Sequence, residues 1–126
     1  MFGLFRRTPR IEAAFVATTA VARELDREVV VAGTLTIKNV GHEVTLTELE
    51  LVLVAGGTRR IDLELPAPWR GGVRLPAGAS VEQACNWTVK LAAPMRAPAA
   101  EIQVTTMAGG KRTPLALTPK FPLGNE

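Results

Sequence analysis

Residues 29–55 read Val-Val-Val-Ala-Gly-Thr-Leu-Thr-Ile-Lys-Asn-Val-Gly-His-Glu-Val-Thr-Leu-Thr-Glu-Leu-Glu-Leu-Val-Leu-Val-Ala, and their patterning decides the fold class. Val31, Gly33, Leu35 and Ile37 alternate with Thr34, Thr36 and Lys38, the two-residue period of a strand with one dry face and one wet face. Farther on, Leu49, Leu51 and Leu53 share one parity with Glu48 and Glu50 opposite, whereas Val44 and Leu46 fall on the other. That slip of phase predicts a bulge or bend near Thr47. The two runs are expected to be long antiparallel strands joined by a turn.

Working outward, Ile11 to Ala20 reads as a first strand, with Ala13, Phe15 and Ala17 on the parity of Ile11. Val21 to Glu28 is too polar for a core helix and is expected to be a connection. Three double glycines, Gly56-Gly57, Gly71-Gly72 and Gly109-Gly110, mark turns. Between the first two, Ile61, Leu63 and Leu65 alternate with Arg60, Asp62 and Glu64, a strand stopped by Pro66 and Pro68. Residues 66–72 are a loop, Val73 to Leu75 a short strand, and Pro76-Ala77-Gly78 another turn. Ser80 to Leu91 is a long strand with Cys85, Trp87, Val89 and Leu91 on its dry side. Ile102, Val104 and Thr106 mark a further strand, Leu115 and Leu117 the last, and Pro119 to Glu126 a tail. Seven or eight strands without a long helix indicate an all-β fold, an antiparallel β-sandwich of immunoglobulin-like type spanning residues 11–126 as a single domain.

At 126 residues, 47% of them hydrophobic, the chain suffices for one core and not for two domains. The formal charge of +3 lies entirely in Arg6, Arg7 and Arg10, because the other twelve basic residues are matched by twelve acidic ones. A balanced body without a single tyrosine lacks the basic stripe and stacking platforms of a nucleic-acid binder. One cysteine excludes an internal disulfide, and one histidine argues against a zinc site. No apolar run approaches the ~20 residues of a membrane span, and Pro9 interrupts any export signal begun by Met1 to Arg7.

Catalytic constellations fare poorly. A cysteine nucleophile needs His42 beside an exposed Cys85, yet Cys85 has core parity. Ser80, the single serine, lacks the Gly-x-Ser-x-Gly elbow. Gly109-Gly110-Lys111-Arg112-Thr113 imitates the end of a phosphate loop, but Pro114 precludes the helix that would follow, so a hairpin turn is expected. Basic residues trail each glycine pair (Arg59, Arg60, Arg74, Lys111, Arg112); solvated strand ends explain them more simply than one anion-attracting rim. No catalytic residue, cofactor or metal ligand is expected. Trp69, in a loop among prolines and glycines, is placed either to contact a partner or to cover an end of the sandwich.

Residues 1–10 form a separate apolar and basic element. Phe2, Leu4 and Phe5 precede a sandwich that does not need them, and Arg6 and Arg7 follow directly. Such a tail folds back over the core, docks on a second copy, or reaches a protein partner or an anionic membrane surface. Phe2, Leu4, Phe5, Arg6, Arg7 and Trp69 are therefore the candidate protein-contact residues. An open sandwich also leaves strand edges, and a homodimer along one edge is expected.

The order of motifs resembles the sporulation-control proteins of bacteria. Met1 to Arg7 precedes the first strand, a Val-x-Gly-Thr-x-x-Ile-Lys strand follows at Val31 to Lys38, and a Leu-x-Leu-x-Leu strand at Leu49 to Leu53. Leu75-Pro-Ala-Gly-Ala-Ser-Val-Glu-Gln, the proline-rich Pro94 to Pro98, Thr105-Thr106 and Leu115 to Pro119 come in the family's order. The resemblance implies an arrestin-like fold and a non-enzymatic, cytoplasmic regulatory or scaffolding protein working through protein contacts. Two departures stand out: Asp26-Arg27-Glu28 replaces the family's Pro-Gly-Glu, and there is one sandwich where its members typically have two. An immunoglobulin-like structural or surface-appendage module is the alternative, and a small-ligand carrier or enzyme a third.

Overall fold

A computed structural model of the chain describes residues 10–23, 25, 27–56, 59–108 and 111–125. Among them are β1 (Ile11–Arg23), β2 (Glu28–Asn39), β3 (Val44–Leu46), β4 (Glu50–Ala55), β5 (Arg59–Leu63), β6 (Val73–Leu75), β7 (Ser80–Lys90), β8 (Ala99–Ala108), β9 (Lys111–Leu117), β10 (Phe121–Pro122) and β11 (Gly124–Asn125). One sheet runs β11-β1-β2-β7. The second runs β10-β8-β4-β5 with β9 also on β8, and β3 pairs with β6 as a small third sheet. The all-β sandwich is as expected, with more strands than seven or eight because one run is split and the tail adds two.

The two organising runs do not pair with each other. β2 lies between β1 and β7, and β4 lies between β5 and β8 in the opposite sheet. The break falls where the phase slips: Glu48 has a φ of 51°, Leu46 and Leu49 are buried on either side, and the Thr106 hydroxyl donates to the Thr47 carbonyl. A left-handed residue there turns the chain from the β3–β6 pair into the second sheet. Val29, Val31, Leu35 and Ile37 of β2 and Leu51 and Leu53 of β4 face one another in a single apolar cluster. The far side of β4 is covered as well. Val52 sits between Asp62 and Gln103, Val54 between Arg60 and Glu101, and Arg60 donates to the Gln103 side-chain oxygen across them.

β1 is longer than its alternation suggests. Ala17 pairs with Gly33 and Thr19 with Ala32, so Thr18 is an extra residue, and inward parity passes from Ala13, Phe15 and Ala17 to Ala20 and Ala22. Val21 to Arg23, expected in a connection, thus continue the strand. The C-terminal tail is likewise structural. Phe121 pairs with Ala100 in one sheet, Gly124 runs parallel to Val21 in the other, and the buried Phe121 and Leu123 close the core between them.

One buried polar residue ties an end of the sandwich together. Asn39, 0% exposed, donates from Nδ2 to the carbonyls of His42 (2.7 Å) and Leu75 (2.8 Å), while its Oδ1 accepts from the Gly41 amide (2.8 Å). Its backbone exchanges bonds with Gly78 and Ala79. Removing that amide leaves buried groups without partners. Asn39→Ala is expected to cost about 2 kcal/mol in chemical denaturation; an unchanged midpoint would show that water replaces the side chain.

At the other end of β2, Glu28 is held by Lys90 (2.9 Å) and Arg23 (3.2 Å). The hydrogen bond from Lys90 and the charges of Lys90 and Arg23 keep its carboxyl below the ordinary 4.5, against the opposing effect of burial. A lowered carboxyl pKa stabilises the fold above the unfolded-state value and loses that contribution as pH falls through the folded-state value. Glu28→Gln should therefore flatten the loss of melting temperature on acidification below 4.5, and parallel profiles for the two proteins would contradict this assignment.

Candidate functional site

The catalytic arrangements considered from the sequence are not assembled. Cys85 lies opposite Gly33 on β2, whereas His42 lies beyond Asn39, about 20 Å farther along at ~3.3 Å per residue. Cys85 is 7% exposed, and burial pushes its thiol pKa up, the opposite of what a thiolate nucleophile needs. Ser80 opens β7 opposite Lys38. Lys111 to Thr113 belong to β9, a strand paired antiparallel with β8 and not the start of a helix. Among the described residues no group of acidic, cysteine or histidine side chains could hold a metal ion, and no helix is long and apolar enough to cross a membrane.

The basic residues do not form one rim. Arg59 is at the Ala55 end of β4 and donates to the carbonyls of Ala93 and Pro94, while Arg112 pairs with Glu50 at the other end of that strand. Arg74, on β6, pairs with Glu43 (2.9 Å).

Of the expected contact residues, Phe2, Leu4, Phe5, Arg6 and Arg7 lie outside the described residues. Trp69 is corrected to a core role. It ends a short 3-10 turn (Ala67–Trp69), its amide donates to the Pro66 carbonyl (2.9 Å), and its ring is 3% exposed within the apolar cluster. Proline-rich sequence made the segment look like an open loop, but the turn directs the indole inward, and an aromatic ring buries more apolar area than anything else there.

What the fold leaves open is a set of edges. β5 is five residues long and carries Arg59, Arg60 and Asp62; β9 contains Pro114 and begins with Lys111 and Arg112; β11 is two residues long. Short length, proline and charge are the ordinary means of blunting an edge. β7 is the least blunted of these edges. It is eleven residues long, lacks proline, has among the described residues only β2 beside it, and carries charge only at Glu82 and Lys90. Its outward row of Ser80, Glu82, Ala84, Asn86, Thr88 and Lys90 is exposed throughout.

The strand is anchored to the core. On its inner side Trp87 Nε1 donates to the Glu64 carbonyl (2.7 Å), tying β7 to the segment that follows β5, and the Trp87 ring packs beside Phe15 with centroids 6.0 Å apart. A groove runs along the edge, walled by Ala84 to Trp87 on one side and by Glu64 to Ala67 with Arg70 on the other. A second groove, between β1 and β9, begins at Ile11 and includes Leu117, which is 49% exposed.

No protein-family model and no curated protein sequence matches the chain. Solved structures match it in fold. The ApaA protein from Bordetella pertussis superposes with a TM-score of 0.51 at 16% identity, over 94% of this chain and 98% of its own. The sporulation control protein Spo0M from Bacillus subtilis gives a TM-score of 0.56 at 12% identity over 94% of this chain, which spans 50% of Spo0M. The arrestin-like, Spo0M-like fold implied by the order of motifs is therefore the fold of this chain, and at these identities the likeness is one of fold.

Proposed function

We propose that the protein is a non-enzymatic, cytoplasmic regulatory or scaffolding module that works through protein–protein contacts, with the outer edge of β7 as its principal contact surface. The observation that carries this reading is the contrast between edges: β5, β9 and β11 are short, charged or proline-containing, and β7 is eleven residues long, free of proline and carries one charge of each sign. An edge of that kind presents a row of backbone donors and acceptors to an added strand, the mode in which many β domains bind their partners. The Spo0M-like fold is consistent with a regulatory role. A single buried cysteine suits a reducing compartment. Residues 1–10 supply a second contact element, apolar at Phe2, Leu4 and Phe5 and basic at Arg6 and Arg7.

The test is affinity capture from the native host with three baits: the wild-type chain, a chain carrying Ala84→Lys with Thr88→Lys, and a chain lacking Met1 to Thr8. Partners held by the first bait and lost by the second support the β7 edge, since both substitutions add charge to exposed outward positions and leave the core alone. The same partners on both baits would exclude it. Loss on the third bait with melting temperature preserved supports the tail as a contact element. A large fall in melting temperature with capture intact would assign the tail to covering its own sandwich.

A further inference from the structure

Resting on the contact reading above, we propose that the occupant of the β7 edge is a second copy of this chain, paired antiparallel with Asn86 opposite Asn86, so that the two β11-β1-β2-β7 sheets become one continuous sheet. The outward row of β7 is self-complementary in this register. Its only charges are Glu82 and Lys90, of opposite sign and each four residues from Asn86. A two-fold axis at Asn86 sets Glu82 of each copy opposite Lys90 of the other, on both sides of the axis, and sets Ala84 opposite Thr88. An isologous contact requires that symmetry of its surface, whereas an unrelated strand would gain nothing from it.

Neighbouring registers fail on stated grounds. An axis at Cys85 places Glu82 opposite Thr88, and an axis at Trp87 places Lys90 opposite Ala84, so both charges lose their partners. An axis between Cys85 and Asn86 pairs residues of unlike parity and would bring the Cys85 and Trp87 face of one copy to the solvent side of the other. In the favoured register Lys90 also keeps its bond to Glu28, and its ammonium lies between that carboxylate and Glu82 of the second copy. Opposite charges directly across a strand pair are stabilising and like charges destabilising.

The experiment uses the full chain. In a Cys85→Ala background, Asn86→Cys should form a disulfide-linked dimer on mild oxidation, because directly opposed Cα atoms at about 4.5–5.5 Å fall within disulfide range. Thr88→Cys in the same background should not link to itself but should link to chains carrying Ala84→Cys. Glu82→Lys is expected to raise the dimer dissociation constant roughly tenfold, as two attractive pairs become repulsive, and Glu82→Gln, which removes the attraction without adding repulsion, should raise it by less. A light-scattering mass of one chain at every concentration would overturn the proposal, as would self-linking of Thr88→Cys as readily as Asn86→Cys, or a dimer indifferent to Glu82→Lys. If the chain stays single while the lysine-bearing bait still loses partners, the second copy is refuted and the contact reading survives. If neither association nor partner loss is seen, both fail.

Discussion

Trp87→Ala is expected to lower stability by about 3–5 kcal/mol, the usual cost of deleting a large aromatic side chain from a core. The ring lies on the inner face of β7 beside Phe15, and its Nε1 supplies the bond to the Glu64 carbonyl that joins the flank of one sheet to the segment leaving the other. Alanine would open a cavity and leave that carbonyl without its donor. Equilibrium denaturation measures the loss. Trp87→Phe should recover much of the packing without the hydrogen bond. A loss below about 1 kcal/mol for Trp87→Ala would mean that the flank collapses to fill the space.

Gly33→Ala is expected to cost about 3 kcal/mol, at the upper end for overpacking, although it adds one methyl group. The extra residue at Thr18 bends β1 across Gly33, and a Cβ there would stand 2.2 Å from the Val16 carbonyl oxygen and 2.9 Å from the Ala17 Cα. Those are backbone atoms, so no change of rotamer relieves the contact; the strand must move, and Phe15, also 2.9 Å away, moves with it. The central glycine of the Val-x-Gly-Thr-x-x-Ile-Lys stretch is thereby explained as the seat of the β1 bulge. Thermal unfolding of Gly33→Ala checks the clash. A variant as stable as the parent would place the bulge elsewhere along β1.

Alternation made much of this legible. A period of two reports which face of a strand is dry, so the inward residues of β2, the inward Cys85 and Trp87 of β7, and the break near Thr47 could all be read from residue order. It does not report which strand lies alongside, and this is why residues 29–55 looked like a hairpin while β2 and β4 belong to opposite sheets. The β1 bulge was hidden because Ala20 and Ala22 are too small to announce a change of parity. Phe121 and Leu123 gave only one period of alternation, and Trp69 was obscured by prolines that signal a loop without saying which way its side chains turn. The outward row of β7 was visible as Asn86, Thr88 and Lys90, but that β7 ends its sheet is a property of topology, and only the assembled sandwich distinguishes its edge from those of β5 and β9.

Hydrogen exchange of the full chain, compared between dilute and concentrated solution, tests the central claim most directly, since amides that gain a partner across an edge become protected. The account predicts that concentration slows exchange within residues 80–90 and leaves β5 and β9 unchanged. Protection that appears at β5 or β9 instead, or exchange along β7 that is the same at both concentrations, would contradict it.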